Sequence, residues 1–186
     1  MLKIYITILL LFYLTLFIQN NISAEETEYN KYENPFLDVY IEYPQQWVKS
    51  EQFLDGIFKV SFLSVPENNV NDFLEVVELT IEDLRNYTSN EYMQSSKETR
   101  EQFLENVSIL EVSNVTLSNL PAIETIFTYD HQFINNNTID EVYLKTKQIT
   151  TITNDRAYTI SFTSTTKDFE KYSPIVEKSF NSFKIK

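Results

Sequence analysis

The chain's only histidine, His131, stands in Tyr129-Asp130-His131-Gln132 at the end of a strand-like run. An imidazole beside a carboxylate has the makings of a proton shuttle or a metal ligand. Adjacent strand residues face opposite sides, so Asp130 would not reach the ring, and a solvated histidine is the simpler expectation. One acidic cluster is Glu75, Glu78, Glu82 and Asp83. A hard cation such as Ca²⁺ or Mn²⁺ needs several carboxylate oxygens at once. Only Glu78 and Glu82 share a strand face, and they stand roughly 13 Å apart along it. Asp130 and Asp140 flank the Asn135-Asn136-Asn137 turn. Glu78, Glu82, Asp130, His131 and Asp140 are therefore the residues from which a weak cation site would be drawn. No Asp-x-Asp-x-Asp-Gly loop supports them, and a solvated acidic face is expected.

Other chemistry is limited by what the chain lacks. It has 186 residues, no Cys and one Gly, Gly56. There is no disulfide framework, thiolate metal site or cysteine nucleophile. A dinucleotide-binding fingerprint, a P-loop or a nucleophile elbow would each need more glycines. Paired carboxylates of the glycosidase kind, or Ser-Lys pairs such as Ser96-Lys97 and Lys178-Ser179, remain open only because an acidic, serine-bearing chain offers them without any motif. The expectation is a binding protein that carries no catalytic residues and no resident cofactor. A cation-binding accessory module and a small carboxylate-dependent hydrolase are the alternatives.

Beyond residue 24, four Asn-x-Ser/Thr sequons begin at Asn86, Asn106, Asn114 and Asn136. They count only if the chain meets a glycosylating machinery, and the N-terminus points to such a route. Residues 1–24 read as an export leader. Lys3 precedes an apolar run from Ile4 to Ile18, and Ser23-Ala24 supplies a small residue at the cleavage point. At ~1.5 Å per residue that run spans about 22 Å, short of the roughly 30 Å hydrocarbon core. Cleavage is expected over retention, the alternative being a membrane anchor made of residues 4–18. Without Cys the leader is not of the lipoprotein type. Its removal leaves 162 residues with 14 basic against 27 acidic side chains. A surface so acidic disfavours nucleic acid and anionic lipid, so the expected partner is an extracytoplasmic protein or surface complex.

The elements that position these residues follow from periodicity. Residues 25–35 read as a flexible acidic lead-in. Val39, Ile41 and Tyr43 alternate with polar partners up to Pro44, and Trp47 anchors the turn beyond. A second strand follows Gly56, with Phe58, Val60 and Phe62 on one face. Residues 66–72 read as a loop, and a third strand runs over 73–81. Ser89 then caps a helix reaching about Leu104, with Tyr92, Ser96, Thr99 and Phe103 as its apolar stripe. Residues 107–162 are almost all strand, turning at 118–121, 135–137 and 154–155. Pro174 divides the C-terminal helical region into two short helices, and 183–185 form a last edge strand. Long consecutive strands with few helices between them predict an α+β fold around an antiparallel sheet.

Certain segments resemble PsbP-type domains. They are Val39-Tyr40-Ile41-Glu42-Tyr43-Pro44 with Trp47, Leu117-Ser118-Asn119-Leu120-Pro121-Ala122, Tyr158-Thr159-Ile160-Ser161-Phe162, Phe169-Glu170-Lys171-Tyr172-Ser173-Pro174, and Ser179-Phe180-Asn181-Ser182-Phe183. The resemblance covers about 36–186 as one domain. It implies a central antiparallel sheet of about six to seven strands flanked by helices, an α/β/α sandwich. It also implies kinship with the extrinsic PsbP subunits of photosystem oxygen-evolving complexes, with PsbP-like exported proteins of archaea and bacteria, and with Ran-binding import factors of the same fold. Asn119 stands where the family usually has Gly; Asn also tolerates left-handed backbone, so the turn survives. The resemblance carries over no metal or partner residue.

Overall fold

The computed structural model describes residues 27–65, 73–85, 87–135 and 138–186. The leader, the 66–72 loop, Asn86 and the Asn136-Asn137 turn lie outside these residues. Ten strands and two helices are described: β1 (Tyr29–Asn34), β2 (Val39–Pro44), β3 (Val48–Leu54), β4 (Ile57–Leu63), β5 (Val76–Asp83), α1 (Ser89–Phe103), β6 (Glu105–Leu117), β7 (Leu120–Asn135), β8 (Thr138–Thr153), β9 (Arg156–Thr165), α2 (Phe169–Ser182) and β10 (Lys184–Ile185). Seven strands form one antiparallel sheet in the order β3-β4-β5-β9-β8-β7-β6. A second sheet, β1-β2-β10, is separate. The fold is α+β with an antiparallel sheet, as expected. With two sheets and two helices it is more sheet-rich than an α/β/α sandwich.

Local turn chemistry sets the register of the large sheet. β3–β4, β6–β7 and β8–β9 are joined by Asp55-Gly56, Ser118-Asn119 and Asn154-Asp155, and all six residues have positive φ. Two left-handed central residues give the turn whose twist matches that of the strands it joins. Asn119, at φ 63°, adopts the left-handed backbone expected of it. Ser118 is held at φ 53° beside it, and its Oγ accepts the Ile185 N–H at 2.8 Å, tying the turn to β10.

The core lies between one face of the large sheet and a layer made of the small sheet and α2. Phe58, Val60 and Phe62 meet Val77, Leu79 and Ile81, which meet Tyr158, Ile160 and Phe162, all buried. Val39 and Ile41 from the small sheet and Phe169, Val176 and Phe180 from α2 close over them. Phe62 stacks on Tyr43 with ring centroids 4.2 Å apart and meets Tyr32 edge-on. Trp47 is buried against Tyr172, as its anchoring role requires.

Three sequence expectations are corrected, and one strand is added. Residues 29–34, taken as lead-in, form β1. The ring of Tyr32 enters the core, and the Tyr29 hydroxyl donates to the Ile175 carbonyl at 2.6 Å, so a polar segment gains an ordered place through its tyrosines. β3, which has no clean alternation, pairs fully with β4. The C-terminal region is one helix through Pro174, because Pro174 and Glu170 lie on its exposed side, where water can take up the freed carbonyl. The N-cap of α1 is Thr88, one residue before Ser89, in a capping box with Glu91.

Candidate functional site

The large sheet's second face is polar. Strand alternation sends Lys59 and Ser61 from β4, Glu78, Thr80 and Glu82 from β5, and Thr159, Ser161 and Thr163 from β9 to this side. Antiparallel pairing sets Glu78 opposite Ser161, Thr80 opposite Thr159, and Thr163 opposite Thr146 of β8. Hydroxyls bridge the strands at 2.8 Å (Thr146–Thr163) and 3.0 Å (Thr150–Thr159).

Five of the carboxylates singled out in the sequence are individually engaged. Glu78 accepts the Ser61 hydroxyl at 3.0 Å and pairs with Lys59 at 3.1 Å. Glu82 shares its face, as expected, and accepts the Tyr92 hydroxyl at 2.8 Å. Burial of Tyr92, reinforced by the Glu82 charge, pushes its phenol well above the usual range. Glu75 is buried, bonding to Ser64 through both its side chain and its backbone. Asp83 is exposed and gripped by Arg85, whose hydrogen bonds hold the carboxyl below its ordinary value. Asp130 accepts the Asn106 side-chain amide at 2.6 Å. Asp140 pairs with Phe133 in the β7–β8 ladder. No group of three or more His, Asp or Glu residues that could hold a metal occurs among the described residues.

His131 and Asp130 part to opposite faces, as adjacent strand residues do. His131 is joined instead by Glu78, from across the sheet, in a shallow hollow of about 230 Å³ with Tyr129, Ser161, Thr163 and Leu144 among its walls. Burial raises the Tyr129 phenol, and the Glu78 charge adds to that shift. No local spacing in the sequence joins these residues. Alternation along β9 sends Thr159, Ser161 and Thr163 to one face, but the pairing of β5 with β9 that brings Glu78 to it is a long-range fact. The hollow's described walls carry one carboxylate, already paired with lysine, so they do not supply the two converging carboxyls of a glycosidase-type mechanism.

A second cleft, about 250 Å³, lies between α1 and the end of β5, lined by Glu82, Asp83, Tyr87, Tyr92, Ser96 and Thr99 among others. α1 rests on the polar face without burying any residue fully. Tyr92 and Arg100 face the sheet, Arg100 lying 4.6 Å from the centroid of the Phe127 ring. Phe103, expected in the apolar stripe, is 73% exposed, because the helix meets a polar sheet. The Ser-Lys pairs do not converge. Lys97 pairs with Glu101, while Ser179 is fully buried and Lys178 points to Glu42 and the Tyr29 ring. Two sequons are described, and both Asn106 and Asn114 lie on the edge strand β6. None of the described helices is long and apolar enough to cross a membrane.

No protein-family profile matches the sequence, and no curated protein does. Similarity appears at the level of structure. The cyanobacterial PsbP (CyanoP) of Synechocystis sp. PCC 6803 aligns with a TM-score of 0.59 at 10% identity, over 88% of this chain and 96% of that one. LpqN, a protein involved in cell envelope biogenesis in Mycobacterium tuberculosis, aligns with a TM-score of 0.52 at 8% identity, over 90% of this chain and 95% of that one. At these identities the likeness speaks for the fold alone, and the fold of this chain is PsbP-like.

Proposed function

We propose that the protein is an exported, non-catalytic binding or accessory protein of PsbP-like type that acts in an extracytoplasmic space on another protein or a surface complex. The observation that carries this reading is the state of the acidic side chains. Glu75, Glu78, Glu82, Asp83 and Asp130 each bond to a neighbouring side chain, which supports a structural use for them. The leader-like N-terminus supports export. Likeness of fold to an envelope protein, LpqN, agrees with it. Apolar contact area is on offer at the tip of the β3–β4 hairpin, where Phe53 is 74% and Ile57 39% exposed.

The test is photo-crosslinking in intact cells with a reactive residue at position 53, compared with one at Glu141. Recovery of the same extracytoplasmic protein from position 53, and not from 141, supports the reading. Recovery of cytosolic proteins, or of none above the control, overturns it. Mass spectrometry of the native chain checks export independently: Glu25 or a near neighbour is the expected first residue, and an intact Met1 revives the anchor.

A further inference from the structure

Among the described residues, the edge strand β6 is a liability that no further strand covers. It is thirteen residues long with one neighbour, β7, so the backbone groups on its free side have no ladder. Ile109, Leu110 and Val112 are 43, 56 and 63% exposed along it. Long edges carrying exposed apolar side chains template unwanted pairing, and proteins blunt them with bulges, charge or cover. Register shifts between Glu105 and Ser108 and between Ile109 and Glu111 disturb the first half of β6, whereas 111–117 pair regularly and stay open.

Both described sequons lie on this strand, and their surroundings differ. Asn106 sits at φ 51° in the irregular first half. Its Nδ2, the atom a glycan would join, donates to Asp130 Oδ2 at 2.6 Å, so a sugar leaving Nδ2 would be driven against β7. Asn114 lies in the regular half, is exposed, and makes no side-chain hydrogen bond among the described residues. It shares a face with Val112, two residues away.

We propose that Asn114 is an N-glycosylation site and that its glycan shields the open half of β6, while Asn106 is left unmodified. The donor is a lipid-pyrophosphate-linked oligosaccharide. Asn114 Nδ2 bonds to the sugar C1 as the C1–O bond breaks, the lipid pyrophosphate leaves with the bonding electrons, and one amide proton passes to a base of the transferase. The site rests on the export reading, since the donor is met only along an export route.

The chain is expressed in a host that glycosylates a control sequon, once with its own leader and once behind a leader known to export. The second form keeps the glycan test valid if the native leader fails. Glycopeptide mapping should find Asn114 occupied severalfold more than Asn106. An exported chain with Asn114 unoccupied, or Asn106 occupied as fully, overturns the assignment. Secreted Asn114→Gln should self-associate severalfold more than the glycosylated chain at equal concentration. Unchanged association, with Asn114 occupied in the parent, refutes the shielding role.

Discussion

Replacing Tyr92 with Phe tests how α1 is held. The helix buries no residue fully, and its hold on the sheet is polar: the Tyr92 hydroxyl on Glu82 at 2.8 Å and Arg100 over Phe127. The substitution keeps the ring and removes one hydrogen bond to a carboxylate. Such bonds contribute about 1.5–3 kcal/mol, and the partial exposure of Glu82 argues for the lower end. With roughly 1.4 kcal/mol per factor of ten, amides of α1 should exchange about ten- to thirtyfold faster where exchange follows local opening. Amides of the central strands β5 and β9 should keep their rates, because the core on the far side of the sheet is untouched. The assay is native-state hydrogen exchange with fragment resolution at constant pH. Equal acceleration in α1 and in β9 would mean that Tyr92 supports the whole domain. No acceleration in α1 would mean that the Glu82 bond does not hold the helix.

Three further outcomes follow from the core, from α2 and from a turn. Phe62→Ala empties the stacked aromatic site between Tyr43 and Tyr32. It should cost about 3–5 kcal/mol, seen as a Tm fall of roughly 10 °C by calorimetry. Lys147 bridges Glu124 at 3.2 Å and Glu177 at 2.7 Å beneath α2. Burial alone would lower its pKa, but its bond to Glu177 and the charges of Glu177 and Glu124 outweigh that and raise it. The raised pKa adds stability that is complete below the ordinary lysine value and fades as pH climbs through the folded-state value; Tyr92 loses its contribution in the same alkaline direction. Chemical denaturation should therefore find steep alkaline destabilisation, shallower in Lys147→Met, which itself should cost about 1–3 kcal/mol at neutral pH. Asn119→Gly should leave the midpoint of denaturation nearly unchanged, whereas Asn119→Ala should cost about 1–2 kcal/mol, because only the latter resists a φ of 63°.

Much of the fold can be read from the chain because local signals agree with global pairing. Gly56 and Asn154-Asp155 mark turns whose two central residues must be left-handed, and the alternation of Tyr158 to Thr163 gives both faces of β9. The errors arise where tertiary contacts overrule local pattern. β1 looks like an acidic tail until Tyr29 and Tyr32 find α2 and the core. Phe103 suggests an apolar stripe only if α1 rests on an apolar sheet, and here the facing side chains include Glu82, Thr150 and Thr159. For the site, the individual candidates are legible and their relations are not. His131 and Glu78 line one hollow because β5 pairs with β9, β9 with β8 and β8 with β7. Nothing within either residue's own segment encodes that sequence of neighbours.

The distribution of charge then bears on what a partner must look like. Several of the few cations are drawn into one joint: Lys145 pairs with Glu170, Lys147 with Glu124 and Glu177, and Lys178 with Glu42. Each of the three also lies over an aromatic ring, those of Phe169, Phe180 and Tyr29. Lysines used as clamps between α2 and the two sheets neutralise the carboxylates they hold, so the excess of 27 acidic over 15 basic residues stays with the rest of the chain. An acidic partner would be repelled over the reach of a Debye length, about 8 Å at physiological salt. For the proposed binding role, contact through the apolar tip at Phe53 and Ile57 would be most favourable for a protein whose own surface is basic around an apolar centre. Association of that kind weakens with salt through a slower on-rate, while loss of the Phe53 ring raises the off-rate. Salt titration of the crosslinked pair's association separates the two: Phe53→Ala should weaken binding without changing the salt slope, and a changed slope would place the contact elsewhere.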